Sequence, residues 1–476
     1  MCGIIGIYSF NQKQNVVPAL IKGLMDLQHR GELSAGITTY NPDRKRLLQT
    51  YKDNGKVDEV FRINHKYKLD KITSDYAGHI GIGHTRYATS GDDSDSLAQP
   101  FERPHGRLSK WFSISFNGNL ANYSSLKKQL ENIGYNMTYD SDTEVIMHYL
   151  SREMQRAYPD EPLNFVEILN KLSAEFDGAW NICFVNAEGK FFASRGHNGI
   201  RPLCYGIKDN MLVVCSESVV LSNLQIEALD IPAGHVLVAD ANGYEVKKYS
   251  EVYEVNNCFF EYIYFAHDAS KMDNSSIYNI RYNVGNTLAT EELQELDNDY
   301  IVVPVPDTSY IAGSAYATAT SLPYVLGIIK NQQIGRTFIA NSNREERVRQ
   351  KFTFIKEVLE NKKIILVDDS IVRGSTLKNL VKILKNHYNV REVHLRIGCP
   401  PITNPCFYGI DFPTIKELYA GSNNPDPSYF GADSLQYLSY DGLLKSIGKD
   451  ETICRACLGG KYPTLYGLAR SEGEYA

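Results

Sequence analysis

Long hydrophobic runs are missing from this chain of 476 residues. No stretch approaches the roughly 20 apolar residues that a membrane-spanning helix needs. The apolar opening GIIGIY is too short for a secretory signal and has neither a basic lead nor a cleavage site. Surplus basic charge is missing too: the net charge is −6 and the pI about 6.0, which argues against a nucleic-acid or anionic-membrane binder. There are no internal repeats and no low-complexity linker. The cysteines are nine, a moderate and odd number. That count speaks against a disulfide scaffold and for catalytic, ligating or buried thiols in a reducing, cytoplasmic setting. What remains is an ordinary globular composition, 43% hydrophobic and 22% charged, in a chain long enough for about two to four domains.

The first half mixes short strand-like runs with a few amphipathic helices. Val17, Leu20, Ile21, Leu24 and Leu27 make one helical face that Gly31 stops. Leu126, Leu130 and Ile133 make another, ending at Gly134. SDTE suggests a capping box of Ser141 and Glu144 before Val145, Tyr149 and Leu150. With the runs AWNICFV, KFFAS, MLVVCS and HVLVAD, this predicts a layered α+β domain ending near residue 250. From about residue 295 the runs YIVVPVP, LPYVLGII, KKIILVDDS and EVHLRIG have the character of buried parallel strands. Helical stretches separate them, which predicts a doubly wound α/β sheet with ligands at the carboxyl ends of its strands.

Two kinds of chemistry can be read from the motifs. In KKIILVDDSIVRGST a strand runs into two acids, then a turn, then a helix. Backbone N–H groups at Gly374, Ser375 and Thr376 can cradle a phosphate, and Asp368 and Asp369 can accept from ribose hydroxyls or bind Mg2+. The bland alternative is a loop with an acidic helix cap. In the first half, removal of Met1 would expose Cys2 as a thiol and α-amine on one residue, a nucleophile with its own base; the alternative is a small buried thiol. HTRYATSG offers Arg86 for a carboxylate, FNGNL offers Asn117 and Gly118 for an oxyanion, and SDTE offers Asp142 for an ammonium. Singly these are better read as a surface arginine, a turn and a helix-capping acid. Together with Cys2 they make up the parts needed to hydrolyse glutamine's side-chain amide.

MCGIIGIY, LQHRG, HTRYATSG, NGNL and SDTE resemble a class II glutamine amidotransferase domain of the N-terminal-nucleophile hydrolase type. VDDSIVRGST and VPVPDTS resemble the phosphoribosylpyrophosphate (PRPP) and pyrophosphate loops of type I phosphoribosyltransferases. In this order, and with KNQQIGRTFI, the chain resembles the glutamine PRPP amidotransferase family from end to end. The resemblance implies a four-layer αββα sandwich over residues 2–252, followed by a doubly wound phosphoribosyltransferase sheet with a cluster-binding tail over 253–476. It implies glutamine hydrolysis and transfer of the ammonia, through an internal channel, to C1 of PRPP, the committed step of de novo purine synthesis. By resemblance Cys2 is the nucleophile, Asn117 and Gly118 stabilise the oxyanion, and Arg86 and Asp142 hold glutamine. Asp368, Asp369, Ser370, Arg373, Gly374, Ser375, Thr376 and Lys330 would bind PRPP, with Thr308, Asp368 and Asp369 at Mg2+. Lys330 and GRTFI match a loop that closes over PRPP. Cys258, Cys406, Cys454 and Cys457 match the [4Fe–4S] ligands of the family's Bacillus-like branch, although four cysteines also suit zinc. Purine nucleotide inhibitors and a homotetramer are implied as well.

The sequence departs from the family pattern at His267–Ala269, Glu32, Leu33, Phe116 and Gln333, which bears on domain coupling and feedback inhibition rather than on bond-making groups. Bacillus-like relatives carry a propeptide before the nucleophile, where this chain has Met1. Cys399 is a possible confounder in the cysteine set, and Cys183, Cys204 and Cys215 read as core. The competing reading is a non-catalytic regulator that senses PRPP or nucleotides, against which Cys2, Arg86, Asn117 and Asp142 all argue.

Overall fold

The computed structural model describes residues 1–87, 97–156, 163–251, 254–331, 344–412, 414–422, 424–449 and 452–473, with backbone only at 344–347 and 422. The opening strand Gly3–Ser9 is buried along its whole length. It lies inside a seven-stranded sheet, between Met211–Cys215 and Ile80–Arg86, to both of which it is antiparallel. Alternation sends Ile5 and Ile7 toward the helix Val17–Asp26, and Ile4 and Tyr8 toward a second sheet. Ile4, Ile5 and Ile7 are fully buried, each contributing about 1.5–3 kcal/mol of burial.

The second sheet has six strands in the order Gly243–Lys248, His235–Asp240, Phe191–Arg195, Gly178–Asn186, Phe112–Leu120, Phe101–Arg103. Its far face is covered by the helices Asp142–Arg156 and Phe165–Glu175, whose Val145, Ile146, Tyr149, Ile168 and Leu172 join one apolar cluster. Helix, sheet, sheet, helix is the four-layer arrangement expected. The capping box at SDTE forms only in half. Glu144 N donates to Ser141 Oγ at 3.3 Å, but the Glu144 carboxylate turns to the backbone N–H groups of Thr138 and Tyr139 at 2.7 and 2.6 Å.

In the second half, Tyr300–Pro304, Lys363–Asp368, Glu392–Ile397 and Ser434–Tyr437 form a parallel sheet in that order. One expected strand is reduced. LPYVLGII pairs with Tyr300–Pro304 through a single parallel bridge, Val302 to Tyr324, and the sheet gains Ser434–Tyr437 at its other edge. Pro323 has no N–H for a ladder; its carbonyl and the Val325 N–H make the two bonds to Val302, each 2.9 Å. Counting that segment as second, the order is 2-1-3-4-5. The order of winding across the sheet therefore reverses between the parallel strands Tyr300–Pro304 and Lys363–Asp368, and the crevice at their carboxyl ends is where a doubly wound sheet binds its ligand.

Candidate functional sites

The first site gathers at the end of the opening strand. Gly3 pairs with Thr85 and Ser34 with Arg86, which puts Cys2 opposite Arg86 in register. Cys2 is half-buried, and Arg30 Nε donates to its carbonyl at 3.0 Å. Asn117 and Gly118 lie on Phe112–Leu120, paired with Asn181 and Trp180. Asn117 is 1% exposed, and neither Nδ2 nor Oδ1 has a hydrogen-bond partner among the described residues. A buried amide left this way costs free energy and asks for a functional explanation. Gly118 is required where it stands, because a Cβ there would meet Ala179 O at 1.9 Å. Asp142 opens its helix and accepts the Leu120 N–H. Burial raises its carboxyl to about 7, the backbone N–H groups of Leu120 and Thr143 hold it down, and the Cys2 thiol is close enough to push it up further.

The second site lies in the crevice that the sheet order singles out. Thr308 Oγ1 donates to Asp369, Ser370 Oγ donates to the same carboxylate at 2.6 Å, and Ser309 Oγ donates to Asp368 at 3.3 Å. Asp368 and Asp369 are both held above the ordinary carboxylate range by burial, and for Asp368 also by its neighbour's charge. Two adjacent, partly enclosed acids whose protons are retained this readily form a set that a divalent cation or a ribose diol would satisfy. Gly374 has φ +73°, a conformation that favours glycine, and turns the chain into the helix Ser375–Tyr388 with the N–H groups of Ser375 and Thr376 at its start. Arg373 pairs with Asp411 at 3.6 Å, and Lys330 with Asp307 at 2.5 Å. Lys330 ends the short strand Ile328–Lys330. GRTFI and Gln333 lie outside the described residues.

A third group of residues is made of thiols. Cys258 and Cys454 are partners in a short parallel pairing, and Cys258, Cys406, Cys454 and Cys457 line one cavity with Ile200, Pro405 and Tyr408. Burial pushes the Cys258 thiol up to about 11 and raises those of Cys454 and Cys457 as well, with the other thiols adding to each shift. Four thiols lining one cavity, three of them kept protonated by burial, fit a cationic metal group that would take them as thiolates. Cys399 is not part of the cavity wall. Cys183, Cys204 and Cys215 are core residues, at most 3% exposed.

A family model described as a glutamine amidotransferase domain matches residues 84–223. The chain is 38% identical to an amidophosphoribosyltransferase of Methanothermobacter thermautotrophicus, over 99% of this chain and 96% of that one. It is 36% identical to the amidophosphoribosyltransferase of Bacillus subtilis, over 97% and 94%. The solved structure of glutamine PRPP amidotransferase from Bacillus subtilis, complexed with ADP and GMP, superposes with a TM-score of 0.86 at 35% identity, covering 98% of both chains. The chain belongs to the amidophosphoribosyltransferase family.

What motif reading missed in this amidophosphoribosyltransferase chain is a buried ionic network beside Cys2. Arg30, quoted only as part of LQHRG, is fully buried and bonds both Glu217 and Glu261. Glu261 also takes Arg201, and Glu217 takes His29 at 2.8 Å, the His267 N–H at 2.8 Å and Ser270 Oγ at 2.8 Å. Charged residues 187 and 231 positions apart from Arg30 give no periodic signal. The departure at His267 falls on this network, where it is the backbone N–H that bonds Glu217, so the interaction does not depend on the side chain at that position.

Proposed function

We propose that this chain hydrolyses glutamine at Cys2 and delivers the ammonia to C1 of PRPP, forming 5-phospho-β-D-ribosylamine, glutamate and pyrophosphate, the first step of de novo purine synthesis. Family membership over the full length supports the enzyme over a nucleotide-sensing regulator. The observation that carries the site assignment is the buried amide of Asn117 beside Gly118, without a partner among the described residues, on a strand whose Leu120 N–H reaches the same Asp142 that feels the Cys2 thiol. The Cys2 sulfur attacks the glutamine amide carbon, with the Cys2 α-amine as base once Met1 is removed. Asn117 Nδ2 and the Gly118 N–H receive the oxyanion. Ammonia leaves, a thioester remains, and water releases glutamate. Arg86 and Asp142 hold the substrate's carboxylate and ammonium.

At the second site, Gly374, Ser375 and Thr376 take the 5-phosphate, with Ser370 and Arg373 beside them, and Asp368 and Asp369 accept the ribose hydroxyls. Mg2+ held by Thr308, Asp368 and Asp369 would neutralise pyrophosphate charge. Lys330, at the end of Ile328–Lys330, would contact PRPP as well. Cys258, Cys406, Cys454 and Cys457 would hold a [4Fe–4S] group with a structural role. Among the described residues no three metal-ligand side chains are grouped to hold a metal ion, and four cysteines also suit zinc. The division at residues 252 and 253, purine nucleotide inhibition, a homotetramer and a cytoplasmic location belong to the same reading. No described helix is long and apolar enough to cross a membrane. The test is PRPP-dependent release of glutamate and pyrophosphate by purified protein; release of neither would overturn the reading.

A further inference from the structure

The segment Phe407–Gly409, which follows Cys406, reaches the first site at two points. On one side, Asn119 Nδ2 donates to Phe407 O at 2.9 Å, and a Cβ on Gly409 would lie 3.1 Å from Gly118 O. This contact falls where the sheet gives no support. Phe112–Leu120 is paired along its length with Gly178–Asn186, but its other neighbour, Phe101–Arg103, reaches only Phe112 to Ile114. From Asn117 to Leu120 that edge is off the sheet; Asp142 takes the Leu120 N–H, and the Asn119–Phe407 bond is a second hold on the stretch.

On the other side, Arg201 Nη2 donates to Tyr408 O at 2.5 Å and Nη1 to Glu261 at 3.3 Å. Glu261 accepts two bonds from Arg30 at 2.9 and 3.1 Å, and Arg30 Nε donates to Cys2 O at 3.0 Å. Arg201, Glu261 and Arg30 are each at most 1% exposed, so water does not loosen these links. The segment has its own anchors: Tyr462 donates to Pro405 O at 2.7 Å, and the Tyr408 N–H donates to Cys406 Sγ at 3.4 Å.

We propose that Asn119 and Arg201 are positioning residues for glutamine hydrolysis, through which Phe407–Gly409 fixes the oxyanion strand and the nucleophile's carbonyl together. This rests on the assignment of Cys2, Asn117 and Gly118 made above. Donors to an oxyanion act only when held within a fraction of an ångström, and displacement of about 1 Å costs up to roughly a hundredfold. Neither residue touches substrate; both act on groups that do.

The experiment measures glutamate release and ammonia-dependent synthesis in the full chain for Asn119→Asp, Asn119→Ala, Arg201→Gln and Arg201→Lys, with Cys2→Ala as reference. Asn119 is only partly buried, and Asp keeps its volume while removing the donor, so this variant folds. Glutaminase kcat should fall about tenfold or more in Asn119→Asp, Asn119→Ala and Arg201→Gln, with KM within about twofold and ammonia-dependent synthesis unchanged. Arg201→Lys, which keeps a donor and the charge, should recover part of the loss. Wild-type kcat in both Asn119 variants overturns the proposal. So does a parallel loss of ammonia-dependent synthesis in Asn119→Asp, which would make Asn119 a general folding contact. Glutamine use surviving in Cys2→Ala would instead overturn the assignment beneath it.

Discussion

In the first half of the chain the Asn117 amide is buried with both atoms unpartnered. In the second half Thr308, Ser370 and Asp369 satisfy one another, Ser309 satisfies Asp368, and Lys330 pairs with Asp307. The first arrangement costs about 1–3 kcal/mol for the unmet amide, and it persists because Gly3–Ser9 lies inside its sheet and Phe112–Leu120 is paired along its length with Gly178–Asn186. The second costs little before substrate arrives, but its bonds must be exchanged for those to phosphate, ribose and cation. A site built from fixed strands is ready before binding; a site built from loops at strand ends has to regroup. The first should answer to the loss of single donors, the second to the loss of charge.

Cys2→Ala should separate the two regions most sharply. Glutamine-dependent synthesis should fall by about a thousandfold or more, since the covalent route is gone, while ammonia-dependent synthesis stays within about twofold. Steady-state assays with each nitrogen source measure this, and equal loss with both would erase the division between sites. Intact mass should also show the chain shorter by Met1.

The four thiols line one cavity although they come from separated segments of the chain, so losing one should weaken the fold as a whole. Cys457→Ser should give poorly soluble, protease-sensitive protein, because binding free energy of a structural metal group is folding free energy. Cys399→Ser, off the cavity wall, should behave like wild type. Anaerobically purified protein should be brown and contain about four irons per chain. Stoichiometric zinc would keep the ligands and replace the metal; a soluble, active, metal-free Cys457→Ser protein would remove the four thiols' role altogether.

Charge is the lever at the second site. Asp369→Asn keeps the shape and removes a carboxylate that two hydroxyls already contact. Synthesis should drop about a hundredfold with either nitrogen source, the scale of a misplaced reactant, and basal glutaminase should persist. Calorimetry giving wild-type PRPP affinity in Asp369→Asn and Asp368→Asn alike would contradict the assignment.

Much of this was legible from local pattern. The Val17–Leu27 face, the strand-to-acid-to-turn run at 363–376 and the layered α+β character of the first half come from periodicities that local sterics and burial impose; the two-sheet arrangement comes from the family resemblance. The strand expected at LPYVLGII was misjudged because apolarity does not reveal that Pro323 cannot donate to a neighbour. Cys2, Asn117, Gly118 and Asp142 are separate in sequence and stand on two different sheets and a helix, so only the packing of those layers brings them together. The Arg30–Glu217–Glu261–Arg201 network could not be read at all, because buried ion pairs are chosen by tertiary geometry and leave no repeat behind.

The smallest effect concerns pH at the first site. Burial holds the Asp142 carboxyl at about 7, well above the ordinary value, and only its ionised form attracts an ammonium. Glutamine affinity should therefore fall as pH drops through about 7, by up to tenfold per unit below it. Calorimetry on Cys2→Ala separates this from titration of the nucleophile. There the midpoint moves somewhat below 7, because the Cys2 charge that raises Asp142 is gone, but the direction stays the same. The folding linkage runs the other way. A carboxyl raised in the folded state favours folding below its unfolded value of about 4, and that contribution is lost as pH rises through about 7. Asp142→Asn should thus gain more in Tm at pH 8 than at pH 5, while its weak glutamine binding stays flat with pH. Affinity in Cys2→Ala that does not change between pH 5.5 and 8.5 would show that Asp142 is not the group holding the substrate's ammonium.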